Sequence, residues 1–223
     1  VKALTKKIKC KPNEVLVSST GVIGEKFNPN LIIDKFKKIN SKNKNGLLES
    51  AKAIMTTDTF PKVSIKNINL DNQSFKIYGI AKGSGMIQPN MGTMLAYIFI
   101  ECEISKQLIN RLLKNNLENT FNSITVDSDT STSDTLMMFS VGNKNINLNK
   151  KNFKILNNKI FELMHDLSLQ VIKDGEGVSK LIRVNVLNAR SKNQAKKIAF
   201  SIANSPLVKT AVSGEDANWG RVI

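Results

Sequence analysis

Lys82 to Glu101, KGSGMIQPNMGTMLAYIFIE, is the stretch on which the reading of this chain turns. Its first half is rich in small and turn-forming residues and runs into Asn90-Met91-Gly92. Thr93 follows, and then the apolar run Met94 to Ile100, MLAYIFI. An unbroken run of that kind suits a strand covered on both faces. Gly92 opens to the backbone before Thr93 conformations closed to other residues. A hydroxyl held between such a turn and a buried strand can attack its own preceding carbonyl and free Thr93 as a new N-terminus. A terminal threonine holds nucleophile and base in one residue: the hydroxyl attacks and the α-amine takes its proton. With a reference pKa of about 7.7–8.0, part of that amine is unprotonated at neutral pH. The residue types alone also permit the plainer reading, in which Gly-Thr only starts a strand.

Composition narrows the alternatives. The 223 residues are enough for one large domain or two small ones, and a hydrophobic content of 41% supports a core. No run reaches the ~18 apolar residues of a membrane span. The start, VKALTKKIKCKPNE, lacks the apolar centre of a signal peptide. It also lacks an initiator Met, and the end, GEDANWGRVI, stops in an apolar, strand-like stretch, so both ends read as cut. Cys10 and Cys102 are too few for a disulfide framework; they fit a reducing cytosol and read as buried small residues. The single histidine, His165, lies in a helical pattern, and no CxxC, HxxxH or spaced carboxylate cluster appears, so no metal site is expected. A net charge of +15 raises nucleic acid as a partner. Against it, arginine occurs only at Arg111, Arg183, Arg190 and Arg221, and the lysines are spread along the chain. The charge reads as a solvated surface that draws in acidic substrates.

In chain order, Glu14–Ser19 (EVLVSS) reads as a strand ending in the turn Thr20-Gly21, which can aim a hydroxyl and backbone N–H groups at one point. Helices are expected over Leu31–Ile39 and from Leu47 toward Met55, and then comes Thr56-Thr57-Asp58-Thr59, a capping turn by composition. Lys62–Ile68 and Ser74–Ile80 read as strands around an Asp71-Asn72 turn. The second delivers Lys82-Gly83-Ser84-Gly85, which is not a phosphate loop because the lysine precedes the glycines. Further on, Ser105–Ser123 reads as a helix, Thr125–Thr135 (TVDSDTSTSDT) as a loop without an assigned role, and Leu136–Val141 as a buried strand. EF-hand spacing is missing from that loop. Phe153 to Val171 carries a helical stripe with His165 off it, ending at Lys173-Asp174-Gly175-Glu176-Gly177. Leu181–Leu187 alternates as a strand, Ala195–Ala203 reads as a helix, and Val208–Val212 as a short strand.

Several of these segments, taken together, resemble the ornithine acetyltransferase family (bifunctional glutamate N-acetyltransferases of arginine biosynthesis). KGSGMIQPNMGTML is similar to the family's cleavage segment, close to GMI-x-PNMATML, with Gly92 in place of alanine. STGVIG, AIMTTDT-x-PK, the hydroxyl-rich TVDSDTSTSDT, DGEG and GEDANWGR have counterparts too, with Ser128, Ser133 and Ala217 as departures. The matches run from Ser18 to Arg221 in one order. The resemblance implies cleavage between Gly92 and Thr93, with Thr93 as nucleophile. It implies an oxyanion hole at Thr20 and Gly21. It also implies substrate contacts from Thr56, with Thr57 as the nearest rival, and from Lys82, Thr93 and Glu176.

The resulting expectation is an α/β fold, with mixed sheets in two layers between helices, of the self-cleaving N-terminal-threonine acyltransferase type. Residues 1–92 form one piece and 93–223 the other, intertwined, each continuing beyond this chain, as in a fragment. The function implied is cytoplasmic acetyl transfer from N-acetylornithine to glutamate through an acetyl-threonine, in arginine biosynthesis. No cofactor is needed, acetyl-CoA stays open as a donor, and the two pieces join in a higher oligomer. Three other readings stay open: an N-terminal-nucleophile amidohydrolase or acylase, a basic nucleic-acid-binding domain, and an inactive fragment.

Overall fold

The computed structural model describes residues 1–21, 24–36, 46–88 and 94–223. Three short helices come first: α1 (Lys2–Ile8), α2 (Asn30–Phe36) and α3 (Gly46–Ala53). Two strands then form a hairpin, β1 (Lys62–Leu70) and β2 (Gln73–Lys82), in register from Lys62–Ala81 to Leu70–Gln73. The connection is two residues long. Asp71 and Asn72 both take positive φ, 49° and 60°, as a type I′ turn requires. Strand β3 (Leu95–Ile100) pairs antiparallel with β2, and β4 (Thr135–Ser140) runs parallel to β3. The described strands thus make one mixed sheet in the order β1-β2-β3-β4, where two layers were expected. In β3, Leu95, Ala96, Ile98 and Ile100 are buried on both faces, as the apolar run demands.

The parallel step from β3 to β4 passes through α4 (Lys106–Leu117). Ser105 caps this helix by accepting from the Leu108 N–H. The helix stops before the Ser123 read from the sequence. Thr120 Oγ1 donates instead to the Asn116 carbonyl at 2.7 Å, and Phe121–Ser123 forms a separate single turn. The long helix α5 (Lys150–Lys173), capped by Asn149, lies across β1 and β2. It buries Leu156, Ile160, Leu163, Met164, Leu167 and Val171 against Ile68, Phe75, Ile77 and Ile98. Helix and sheet approach closely at Gly79, where a Cβ would lie 2.6 Å from Leu167 Cδ1 and 2.7 Å from Leu163 Cδ2. Helices α6 (Lys192–Ala203) and α7 (Pro206–Ser213) complete the chain before a final turn at Trp219–Arg221. No described helix is long and apolar enough to cross a membrane.

Three expected strands are absent. Glu14–Ser19 follows a helical turn at Pro12–Glu14 and pairs with no described strand; Leu16 is 62% and Val17 68% exposed. Leu181–Leu187 keeps its alternation, with Ile182, Val184 and Val186 half-buried between exposed neighbours, but forms no ladder. Its half-buried side line an open cleft of about 900 Å³ against α6. Val208–Val212 lies inside α7, because Ser205 accepts from the Val208 N–H as N-cap and Pro206 occupies the first turn, a helix start that outweighs the β-branched residues. The closing Trp219–Arg221 turn likewise replaces the strand-like end.

Candidate active site

The C-terminal end of β2 carries Lys82 into the protein, where the residue is only 2% exposed. Its Nζ donates to Thr56 Oγ1 at 2.7 Å. The other two ammonium hydrogens have no protein partner among the described residues. Burial pulls the Lys82 pKa down; Asp58 pushes it back up, Lys62 lowers it further, and Glu176 raises it. The strand then turns through Gly83, at φ 146°, into Ser84-Gly85-Met86.

A buried ion network beneath Lys82 fixes the Thr56–Thr59 turn. Lys62, with no exposed side-chain surface, reaches Asp58 Oδ1 at 2.6 Å and Asp174 Oδ2 at 2.5 Å. Asp58 also accepts the Gly83 N–H at 2.7 Å and the Thr56 N–H at 3.1 Å. Asp174, which caps α5, accepts the Thr59 N–H at 3.0 Å and the Thr59 hydroxyl. Burial pushes both carboxyls up. For Asp58 the Gly83 N–H, the Lys62 ammonium and the Thr56 N–H outweigh it. For Asp174 the Lys62 ammonium and the two Thr59 donors do so. Both carboxyls end below the usual range and stay ionised.

Glu176, two residues past Asp174, completes the cluster. Its backbone N–H donates to the Ser84 carbonyl at 2.9 Å. Its carboxylate lies directly on Gly85: a Cβ there would sit 2.8 Å from Glu176 Cδ and 2.9 Å from both oxygens. Gly85 is therefore small because the carboxylate occupies the space. Ser84 Oγ is 2.5 Å from Thr57 Oγ1. Of the two neighbouring threonines, Thr56 meets the lysine and Thr57 meets the serine.

The fold thus gathers Thr56, Lys82 and Glu176, read from segments far apart in the chain. Thr93 and Gly92 lie outside the described residues. Just beyond them, Leu95, two residues past Thr93, pairs directly with Lys82 in the β2–β3 ladder. Thr20 is half-buried and Gly21 exposed, in a stretch without regular structure. Neither makes a side-chain hydrogen bond to the cluster among the described residues. The stretch is tied to β3 through the Ser18 hydroxyl, which meets the Tyr97 hydroxyl. Asp58, Lys62, Ser84 and Asp174 were not anticipated. The i,i+4 spacing of Asp58 and Lys62 was a visible signal, but their tie to Asp174, 112 residues beyond Lys62, was not.

Elsewhere, burial pushes the Cys102 thiol up to about 11, which keeps it protonated and inert. His165 stacks on Phe161 in α5, away from the cluster. No group of three His, Cys, Asp or Glu fit to hold a metal occurs among the described residues.

Comparison with known proteins gives one consistent result. The model of the ArgJ family matches residues 1–223. An "Arginine biosynthesis bifunctional protein ArgJ" from Bartonella henselae is 48% identical over 221 residues, covering 97% of this chain and 54% of the relative. Proteins of the same name from Gluconobacter oxydans and Rhizobium meliloti are each 46% identical, covering 96% and 99% of this chain and 52% and 55% of their own length. The chain spans about half the length of the curated relatives it matches.

Proposed function

Because the chain belongs to the ArgJ family, we propose that the complete protein moves an acetyl group from N-acetylornithine to glutamate in arginine biosynthesis, after cutting itself between Gly92 and Thr93. The observation that carries this reading is the Thr56–Lys82–Glu176 cluster, set where β2 meets the start of β3 two residues past Thr93. A buried ammonium with open donors suits an amino-acid α-carboxylate, and a carboxylate nearby suits the substrate's ammonium.

In the first half-reaction the Thr93 hydroxyl adds to the acetyl carbonyl while its α-amine takes the proton. The Thr20 hydroxyl and the Gly21 N–H stabilise the oxyanion; loss of one such donor costs about 10²–10³ in rate. Ornithine departs with the proton, leaving acetyl on Thr93 Oγ. In the second half-reaction the glutamate amine attacks that ester, releases N-acetylglutamate and restores the hydroxyl. Lys82 holds the α-carboxylate of each substrate in turn. Thr56 orients Lys82, and Glu176 faces the ornithine ammonium. The cycle needs no cofactor, and acetyl-CoA is a second donor to be tried. Residues 1–92 and 93–223 belong to the two interlocked pieces, which act in the cytoplasm as an oligomer. The unpaired stretches Glu14–Ser19 and Leu181–Leu187 contribute to the second sheet layer in the complete protein.

The test is the intact mass of the full-length protein, with and without Thr93→Ala. Two pieces split at Gly92–Thr93 in the parent, one piece in the variant, and glutamate-dependent release of ornithine by the parent alone are expected. A parent that stays whole, or that passes acetyl to water as fast as to glutamate, would overturn this reading.

A further inference from the structure

Three donors converge on the carboxylate of Asp58, whose side chain has no exposed surface. Oδ1 accepts the Lys62 ammonium at 2.6 Å and the Gly83 N–H at 2.7 Å, and Oδ2 accepts the Thr56 N–H at 3.1 Å. Two of these donors flank the substrate-facing lysine. Thr56 carries the hydroxyl that receives Lys82 Nζ at 2.7 Å, and Gly83 is the residue after Lys82. Lys62 has a second carboxylate in Asp174, at 2.5 Å, whereas the Thr56 hydroxyl is the only described group to which Lys82 Nζ donates.

We propose that Asp58 is the positioning residue of the carboxylate-binding lysine: it holds Thr56 and the backbone at Gly83 so that the Lys82 ammonium stands ready for a substrate, and its charge is shared between Lys62 and Lys82. This rests on the acetyl-transfer reading above. Asp58 touches no substrate; it acts through Thr56 and Lys82. A neutral amide cannot take its place. An amide has one accepting oxygen and one NH₂ group, so on one side a donor would face a donor. Either Thr56 or the Lys62–Gly83 side is then released, and the lysine loses its fixed partner or its fixed backbone.

The charges around Lys82 give this role a signature of its own. Burial pulls the Lys82 pKa below its ordinary value; Asp58 raises it, Lys62 lowers it and Glu176 raises it. These groups come from the turn ahead of β1, from β1 and from the turn after α5. Asp174, at the end of α5, is taken up by Lys62 and Thr59, and Asp134, ahead of β4, accepts the Met94 N–H. Opposite signs follow for the two partners of one ion pair. Removing the charge of Asp58 lowers the Lys82 pKa, and removing that of Lys62 raises it. A pair that only held the fold together would give the same change from either side.

The experiment measures N-acetylglutamate binding to full-length, cleaved protein by calorimetry, from neutral pH through an alkaline series. N-acetylglutamate carries carboxylates but no amine of its own to titrate, so an alkaline loss of binding reports the protein. Affinity should fall as pH rises through the Lys82 pKa, because the ammonium is the form that holds a carboxylate. Asp58→Asn is expected to weaken binding about tenfold at neutral pH, the scale of a lost hydrogen bond to a charged group, and to move the alkaline fall to lower pH. Asp58→Glu keeps the charge and should return the fall to the parent's position while binding stays weaker. Lys62→Met should move the fall to higher pH. Asp58→Asn binding as the parent does, or moving the fall in the same direction as Lys62→Met, would overturn the proposal. So would Lys62→Met leaving the fall in place, a result that does not require Asp58→Asn to fold. A parent that does not bind N-acetylglutamate sinks the acetyl-transfer reading itself; a parent that binds it and is indifferent to Asp58 sinks only this inference.

Discussion

Lys82 Nζ and Thr56 Oγ1 lie 2.7 Å apart although 26 residues separate them. The β1–β2 hairpin brings this about. Lys62 opens the first strand, Lys82 ends the second, and the two-residue turn fixes their register, so both lysines arrive at the same end of the sheet. There Asp58 takes the Lys62 ammonium and the Thr56 and Gly83 N–H groups. One carboxylate thus sets the position of the threonine and of the backbone just past the second lysine.

Lys62→Met tests how much of the fold depends on this network. The substitution removes a fully buried cation and leaves Asp58 and Asp174 buried without it. Breaking a buried pair from one side costs about 3–5 kcal/mol. Urea denaturation should show a midpoint lowered to match, with the slope unchanged.

The pH dependence of that variant should invert. In the parent, both carboxyls have folded-state pKa values below their ordinary ones. Their contribution to stability is present above the ordinary carboxylate value of about 3.9 and is lost as pH falls through the lower folded values. Without Lys62, burial dominates and the folded pKa values rise, so the folded state binds the extra protons. Lys62→Met should therefore gain stability as pH falls from neutral toward about 5, while the parent does not. Melting curves across that range decide it.

The hairpin, the buried β3 and the long α5 were legible because each has a strong local cause: a two-residue polar turn, a run of apolar residues, a helical stripe. At Val208–Val212 the β-branched residues suggest a strand, but the cap and fixed φ of Ser205-Pro206 start a helix. Leu181–Leu187 shows the other limit. Its alternation reports which side chains are half-buried, not whether a neighbouring strand is there to pair with. In the site, Thr56, Lys82 and Glu176 came from the family resemblance. Asp174 could not be found from the sequence, because it acts on backbone and side-chain groups more than 100 residues distant.

Thr56 and Thr57 should separate in kinetics. Thr56→Val removes the oxygen that receives Lys82, which frees a buried ammonium to move. Thr57→Val removes only the contact with Ser84. In the full-length cleaved protein, Thr56→Val should raise KM for N-acetylornithine about tenfold or more, equal to a loss of ~1.4 kcal/mol. Thr57→Val should stay near the parent. Steady-state rates with both variants would show the reverse if Thr57 is the residue that serves the substrate.

Gly85 and Gly142 make a paired test of site against scaffold. The nearest atoms a Cβ at Gly85 would meet are the end of the Glu176 side chain, whereas one at Gly142 would lie 2.4 Å from the Glu101 carbonyl carbon and 2.8 Å from the Cys102 nitrogen. Side-chain ends can swing away; backbone cannot without opening the end of β3. Gly142→Ala should therefore lose about 1–3 kcal/mol of stability, the usual scale of overpacking, with little change in KM for the folded fraction. Gly85→Ala should melt near the parent yet displace the Glu176 carboxylate and weaken binding of the ornithine substrate. Thermal melts and substrate titrations on both variants test this. If Gly85→Ala binds as the parent does, the carboxylate pressed against that glycine has no part in holding the substrate.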